Sequence, residues 1–400
     1  MEVVDTHPVM SKKLCYCGPP GITIGDLLRK TSSPLHGRQW DARHVYYTHK
    51  GRYGLGLLCS HWNLTAGDEI LMPAYNCGSE IDPFVRYGLD VVFYRVDQKA
   101  TIDFEDIMRR MTRRTKVVYM TLYFGWPQDI KALSEYCRKN KIYLIEDCAL
   151  SLFSNPARHP IGVLGDAAIY SLPKTLPVPD GGVLTISQDL LPETPAQRPP
   201  IGGIFNEFLP LIKRTVLRIC DKIGLYSYLP KRLIQSRRCS TALTTPAGLP
   251  EIPQSYYYDR NIQNMTASAI TRYILKHTCL ESVVQQRRTN YTILYEAIKD
   301  STLFKPLYSE IPEGVCPLYL PVLVENRKAA CDYLNHKGIL AIQWWSGFHR
   351  AFDWADFPEA RYLKEHLLAL PIHQQLTAKD MEYMVTMLPK QMEWPGRGQR

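Results

Sequence analysis

No Cys-x-x-Cys pair occurs among the eleven cysteines, and the two nearest, Cys15 and Cys17, have no second Cys or His pair at zinc spacing. A zinc module is thereby excluded, no metal is expected, and the odd, scattered thiols read as reduced side chains of a cytoplasmic protein. Nor does any window approach eighteen consecutive apolar residues, which excludes a membrane-spanning helix. The opening MEVVDTHPVM lacks the basic region and apolar core of a signal peptide, so secretion is not expected. An internal repeat is also missing. What is present is a chain of 400 residues, 45% hydrophobic, long enough to fill two cores. Its formal charge of +9 favours anionic partners such as phosphorylated substrates, nucleic acid or acidic lipid, of which nucleic acid is not expected here.

From about residue 41 to 187, short β-branched runs alternate with helical patterns. The runs are EILMPA at 69–74, DVVFYRV at 90–96, KVVYMTLYF at 116–124 and IYLIE at 142–146. Helices are expected near 54–63, 79–87, 103–111 and 129–139, the last capped by Asp129. Such alternation predicts an α/β fold whose largely parallel sheet is covered by helices on both faces. AAIYSL at 167–172 and GGVLTIS at 181–187 flank the Pro-rich PKTLPVPD, which predicts neighbouring strands joined around Lys174. Residues 188–255 change character, with Pro-rich connectors on either side of the basic amphipathic FLPLIKRTVLRICDKIGLYSYLPKRLI. A helical pattern resumes over 265–299, followed by an apolar strand around 318–323, a helix near 326–337 and a last helix after Leu376. The expected division is an N-terminal arm (1–40), a large domain (41–260) with the basic insertion at about 190–255, and a smaller C-terminal α/β domain (261–400).

Asp147 closes IYLIE, at the strand end where open α/β sheets bind ligands, although a carboxylate there can equally cap the next helix. Lys174 alone reads as a solvated charge. Taken in order, however, five stretches resemble the DegT/StrS family of sugar aminotransferases over most of the chain. They are GRYGL at 51–55 opening a helix, AGDEILMPAYNC at 66–77, TLYFGWPQDI at 121–130, IEDCALS at 145–151 and PIGVLGDAAIYSLPKTLPVPDGGVLT at 160–185. The resemblance implies the aspartate-aminotransferase fold, PLP-transferase fold type I, with pyridoxal 5′-phosphate (PLP) as cofactor. It assigns to Lys174 the amine that bonds the cofactor aldehyde and then shuttles a proton. To Asp147 it assigns the carboxylate that pairs with the pyridine nitrogen. The cofactor phosphate would rest at the helix start marked by Arg52 and Tyr53, on amides more than side chains, and on the Ser171 hydroxyl.

Cys77 stands where many members carry an aromatic residue stacked on the cofactor ring, leaving Tyr123, Phe124 or another residue to supply that packing. Leu150 stands where many have Gln or His. Asn261, in NIQNMT, corresponds to the asparagine of the family's Asn-x-Arg-Met stretch, which reaches the partner subunit's phosphate. Trp344, Trp345 and His349 in QWWSGFHR fall in the part of the small domain that approaches substrate, or else fill its core. His373 reads as structural, and Gly181 and Gly182 as permitting close backbone approach.

The resemblance thus implies a homodimeric PLP aminotransferase. It would move an amino group from an amino acid, glutamate by family analogy, to a keto group on a nucleotide-linked sugar, in polysaccharide or secondary-metabolite biosynthesis. One alternative is a sugar dehydratase on the same scaffold; relatives with that activity replace the lysine by histidine, which Lys174 argues against. The other is a binding or regulatory paralogue without catalysis. In the segment 208–238, Leu209, Ile212, Val216, Ile219 and Ile223 share one helical face, Lys213, Arg214, Arg218 and Lys222 mostly occupy the rest, and Lys231, Arg232, Arg237 and Arg238 extend the charge. Such a stripe packs on the large domain or on a dimer partner, or lies on the anionic inner face of a membrane.

Overall fold

The computed structural model describes residues 15–28, 40, 43–157, 161–187, 195–229, 244–245 and 248–389. Most of the expected N-terminal arm, and Lys231, Arg232, Arg237 and Arg238, lie outside the described residues. The β-branched runs form a seven-stranded sheet: β1 (His44–Thr48), β2 (Glu69–Pro73), β3 (Asp90–Tyr94), β4 (Thr115–Thr121), β5 (Tyr143–Asp147), β6 (Ala167–Ser171) and β7 (Gly182–Ile186). Its order is β1-β7-β6-β5-β4-β2-β3, with β3, β2, β4, β5 and β6 parallel and β7 antiparallel to both neighbours. Every residue of β2 is buried, as a strand covered on both faces requires.

The covering helices are α1 (Ile24–Leu28), α2 (Gly51–His61), α3 (Asp82–Arg86), α4 (Phe104–Arg110) and α5 (Lys131–Asn140), followed by the single turn α6 (Leu172–Thr175) and the long α7 (Ile201–Lys222). Beyond them come α8 (Ala269–Lys276), α9 (Leu280–Ile298), α10 (Arg327–His336), α11 (Pro358–His366) and α12 (Ala378–Met387). Several begin where side chains satisfy first-turn amides: Asp103 accepts from Asp106 N–H, Ser268 from Thr271 N–H, and Thr377 forms a reciprocal capping box with Asp380. Asp129 is no such cap. The N-cap of α5 is Ile130, only 2% exposed, so burial of its side chain sets where that helix starts. The pattern over 265–299 divides into α8 and α9, because Thr278 turns its hydroxyl back onto the Ile274 carbonyl at 2.7 Å and closes the first helix.

A second sheet, β8 (Lys305–Pro306), β9 (Leu320–Leu323), β10 (Ile342–Gln343) and β11 (Leu367–Leu370), is antiparallel in the order β10-β11-β9-β8. One apolar core runs from the large sheet into this small one. The N-terminal segment reaches the small sheet's side as well, pairing Cys17 with Ile339.

Helix α7 packs through the side that its sequence marks as the more polar one. Leu211, Leu217 and Arg218 are buried, and the Thr215 hydroxyl donates to the Ile22 carbonyl. Arg218 donates to the Gln375 carbonyl at 3.0 Å and approaches His373 at 3.4 Å. The apolar stripe faces outward.

Candidate active site

Four pieces converge at the carboxyl ends of β5 and β6. Antiparallel pairing of β6 with β7 sets Ser171 opposite Gly182, which also pairs with Thr48. A bond from Leu172 N–H to the Gly181 carbonyl at 3.0 Å closes the lysine loop, and Ser171 opens the turn α6 that carries Lys174. Helix α2 starts against the same strand end. A Cβ on Gly182 would lie 2.4 Å from the Gly51 nitrogen, so only glycine admits the helix start there. Gly181, at φ +115°, donates to the His49 carbonyl at 2.7 Å and packs on Thr271.

Asp147 ends β5 inside the protein and accepts the Ala149 N–H at 2.9 Å. Burial pushes its carboxyl up from the ordinary 3.8 to about 6, against the pull of the Lys174 ammonium; Glu80 adds to the rise. The adjacent Glu146 is buried too, accepting from Gly162, Leu164 and Gly165 N–H at 2.7 Å each, which fixes the connection from β5 to β6.

Of the two helix-start residues, neither side chain enters the site. Arg52 donates to the Ser255 carbonyl at 2.6 Å, while the Tyr53 ring is buried against Tyr258 at a centroid distance of 5.4 Å. The Tyr53 amide is used by the Lys50 carbonyl at 3.0 Å. The Lys50 side chain makes no capping bond, so the Gly51 and Arg52 amides are the ones that face an anion at this helix end. Asn261 sits apart on the exposed turn Arg260–Ile262, where its amide bonds Asp259.

Cys77 is held by Glu80, which accepts both the Cys77 N–H at 2.9 Å and its thiol at 2.7 Å. Burial first, then the Glu80 charge, pushes that thiol up to about 12, so it stays protonated. Aromatic cover comes instead from Trp345, whose ring centroid lies 5.9 Å from Lys174 Nζ, 5.3 Å from the Tyr75 ring and 5.9 Å from Tyr123. Trp345 holds a left-handed φ of 45°, which costs a side-chain-bearing residue about 1–3 kcal/mol and persists only where its surroundings fix it. Lys364 does the fixing. Wholly buried, it donates to the carbonyls of Asn76 at 2.6 Å, Gly347 at 2.8 Å and Trp345 at 3.3 Å, tying the Cys77 loop to the tryptophan loop. Burial depresses its ammonium to about 8. His349 belongs to the framework, bonded to buried Asp82 at 3.1 Å, and His373 does too, kept neutral by burial beside Arg218.

A second buried cation, Arg287 of α9, reaches the lysine turn from the other side. It donates to the carbonyls of Thr175 at 3.1 Å, Leu318 at 2.9 Å and Pro317 at 3.3 Å, and to Gln374 Oε1 at 3.0 Å. Gln374 in turn donates to the same Thr175 carbonyl at 3.1 Å. Glu80, Lys364 and Arg287 were not picked out from sequence. Arg287 was within reach: it falls in the stripe Val283, Arg287, Asn290, Tyr291, Leu294, all buried along one side of α9.

A buried carboxylate beside a lysine, a helix end with uncapped amides and a strand-end serine provide what the pyridine nitrogen, aldehyde and phosphate of PLP need, so the residues fit that group. The sheet order, with an acid after β5 and a lysine after β6, defines a PLP-transferase fold of type I. More narrowly, the DegT/DnrJ/EryC1/StrS aminotransferase family model matches residues 38–197, so that stretch is similar to this family. GDP-perosamine synthase of Vibrio cholerae is 27% identical over 152 residues, 37% of this chain and 41% of that protein. The dTDP-4-dehydro-2,3,6-trideoxy-D-glucose 4-aminotransferase of Saccharopolyspora spinosa is 30% identical over 148 residues, 36% of this chain and 38% of that one. The chain therefore spans about two fifths of the length of these relatives. Among solved structures, the E. coli GDP-4-keto-6-deoxy-D-mannose-3-dehydratase with bound hydrated PLP matches at TM-score 0.60 and 17% identity, over 88% of this chain and 89% of that one.

Proposed function

We propose that this protein is a PLP-dependent aminotransferase that passes an amino group from an amino acid, glutamate by family likeness, to a keto group of a nucleotide-linked sugar. It acts in polysaccharide or secondary-metabolite biosynthesis, as a homodimer in the cytoplasm. The observation that carries this reading is the buried Asp147 carboxylate under the charge of Lys174. When bound, PLP supplies an aldehyde and an electron-accepting ring on which amino groups are exchanged. Asp147 holds a proton on the pyridine nitrogen. Lys174 Nζ would hold the cofactor aldehyde and carry the proton of the substrate Cα. The amides of Gly51 and Arg52 and the Ser171 hydroxyl would hold the phosphate. Trp345 covers the lysine and excludes water, with Lys364 orienting its loop. Asn261, exposed on its turn, would serve the phosphate of a partner subunit.

Lys174 also favours transamination over the dehydratase reading, since relatives with that activity carry histidine in its place. A visible absorption spectrum decides the matter. The purified protein should show a cofactor band that glutamate bleaches and a keto sugar restores, and borohydride reduction should leave the cofactor on the Lys174 peptide. A band that amino donors leave unchanged would sink the transaminase reading.

A further inference from the structure

Helix α7 inverts the usual placement of apolar surface. Ile201, Phe205, Leu209, Ile212, Val216 and Ile219 follow one another at three and four residues, and all are exposed, Ile201 by 86%, Val216 by 50% and Ile219 by 52%. Ile223 continues the row past the last helical residue, with Leu225 and Tyr228 exposed beyond it. At about 100° per residue these side chains project from one side of the helix, and buried Leu217 and Arg218 project from the opposite side, against the protein. The stripe is therefore turned away from its own fold along some 33 Å, taking about 1.5 Å per residue. Exposed Lys213 and Lys222 flank it, one on each side. Of the two acids in the helix, Glu207 is paired with Lys50 at 2.9 Å and Asp221 sits on the packing side. Further along the sequence come Lys231, Arg232, Arg237 and Arg238.

From this arrangement we infer that α7 is a docking surface for an anionic lipid bilayer, lying in the plane of the membrane. Apolar side chains enter the acyl boundary while Lys213 and Lys222 extend sideways to the headgroups, as long basic side chains do at such an interface. Among the described residues no helix is long and apolar enough to cross the membrane, so attachment is peripheral. A second copy of the chain is the poorer occupant. Two-fold pairing of this face would bring Lys213 and Lys222 of both copies along one seam, with Glu207 already engaged by Lys50. A bilayer rich in acidic lipid meets the apolar row and both basic margins at once.

Co-sedimentation of the full chain with vesicles tests the assignment independently of any enzymatic activity. Vesicles of phosphatidylcholine mixed with phosphatidylglycerol should bind the protein at least about tenfold better than phosphatidylcholine alone, and high salt should weaken that binding. The double substitution Ile212→Asp with Val216→Asp should abolish binding, and Lys213→Glu with Lys222→Glu should cut it about tenfold or more. Light scattering should give all three proteins the same mass, and their thermal melts should coincide. Absence of wild-type binding to acidic vesicles, or equal binding to both vesicle types, overturns the assignment. So does a fall in mass on introducing the two aspartates, which would make the stripe a contact between copies.

Discussion

The carboxyl edge of the large sheet and the outer side of α7 depart from the inside-outside rule in opposite directions. At the sheet edge the protein buries charge: Asp147, Glu80, Lys364 and Arg287 are each no more than 4% exposed. On α7 it leaves six large apolar side chains in water. Each departure works against folding, since buried ions lose hydration and exposed apolar groups forgo burial. The remedies differ, however. The buried cations are satisfied inside the chain, Lys364 and Arg287 largely by backbone carbonyls, whereas nothing described in the chain covers the stripe. The first region is finished by folding and the second by something outside the fold.

Breaking the buried side should have the larger consequences. On the proposed roles of Lys174 as imine former and proton carrier, Lys174→Ala should lower the rate of amino transfer by more than about 10⁴-fold, while the denaturation midpoint barely moves. Single-turnover spectroscopy with glutamate checks the rate. Arg287→Leu should instead act on stability. Removing one guanidinium orphans the Leu318 and Pro317 carbonyls and leaves Thr175 to Gln374 alone, and a loss of about 1–3 kcal/mol for each orphaned carbonyl is expected in urea unfolding.

Asp147→Asn sharpens the comparison through pH. With its folded value raised to about 6 from 3.8, Asp147 favours the folded state fully below pH 4 and loses that contribution as pH rises through 6. Between about pH 4 and 7, cofactor-free wild type should therefore lose about 3 kcal/mol of stability relative to the Asn variant. In the loaded protein the order reverses. The Asn variant should bind PLP more weakly by about 3–5 kcal/mol, exceeding the roughly 1.5–3 kcal/mol lost with Ser171→Ala. Equilibrium dialysis of cofactor measures both. The smallest effect is expected on the exposed side: Val216→Asp should change unfolding free energy by about 0.5 kcal/mol or less, as its side chain loses no packing.

How much could be read in advance follows the same division. The order of βα units was legible in the β-branched runs, whereas Lys174, Asp147 and Ser171 were singled out through the family resemblance, since an isolated lysine reads as a surface charge. Trp345, Lys364 and Glu80 meet only because two loops and helix α11, distant in sequence, are folded onto one another. A lone lysine in EARYLKEH has the look of a surface charge until Leu363 and Leu367 on either side of it are seen to be buried. The sequence left open which ring compensates for Cys77, because Cys77 is held by Glu80 while Trp345, the ring beside Lys174, lies far along the chain. Asp129 failed as a cap because packing of Ile130, not a hydrogen bond, decides where α5 begins. On α7 the periodicity was legible, yet which side would face the fold was not, since Arg218 finds its acceptors on residues more than 150 positions away.

The double acceptance at the Thr175 carbonyl has a further consequence for how the molecule comes apart. Arg287 and Gln374 join the lysine turn, α9 and the loop after β11 through one oxygen. A fluctuation that frees any of the three must strand the already desolvated Arg287 guanidinium, so these pieces open as one cooperative unit rather than in sequence. Amide protons of Leu172, of the middle of α9 and of Leu318 should then exchange with solvent deuterium at a common, slow rate. Heat should accordingly remove the reactive lysine from its setting in the same step that dismantles the small sheet, with no intermediate in which one survives the other.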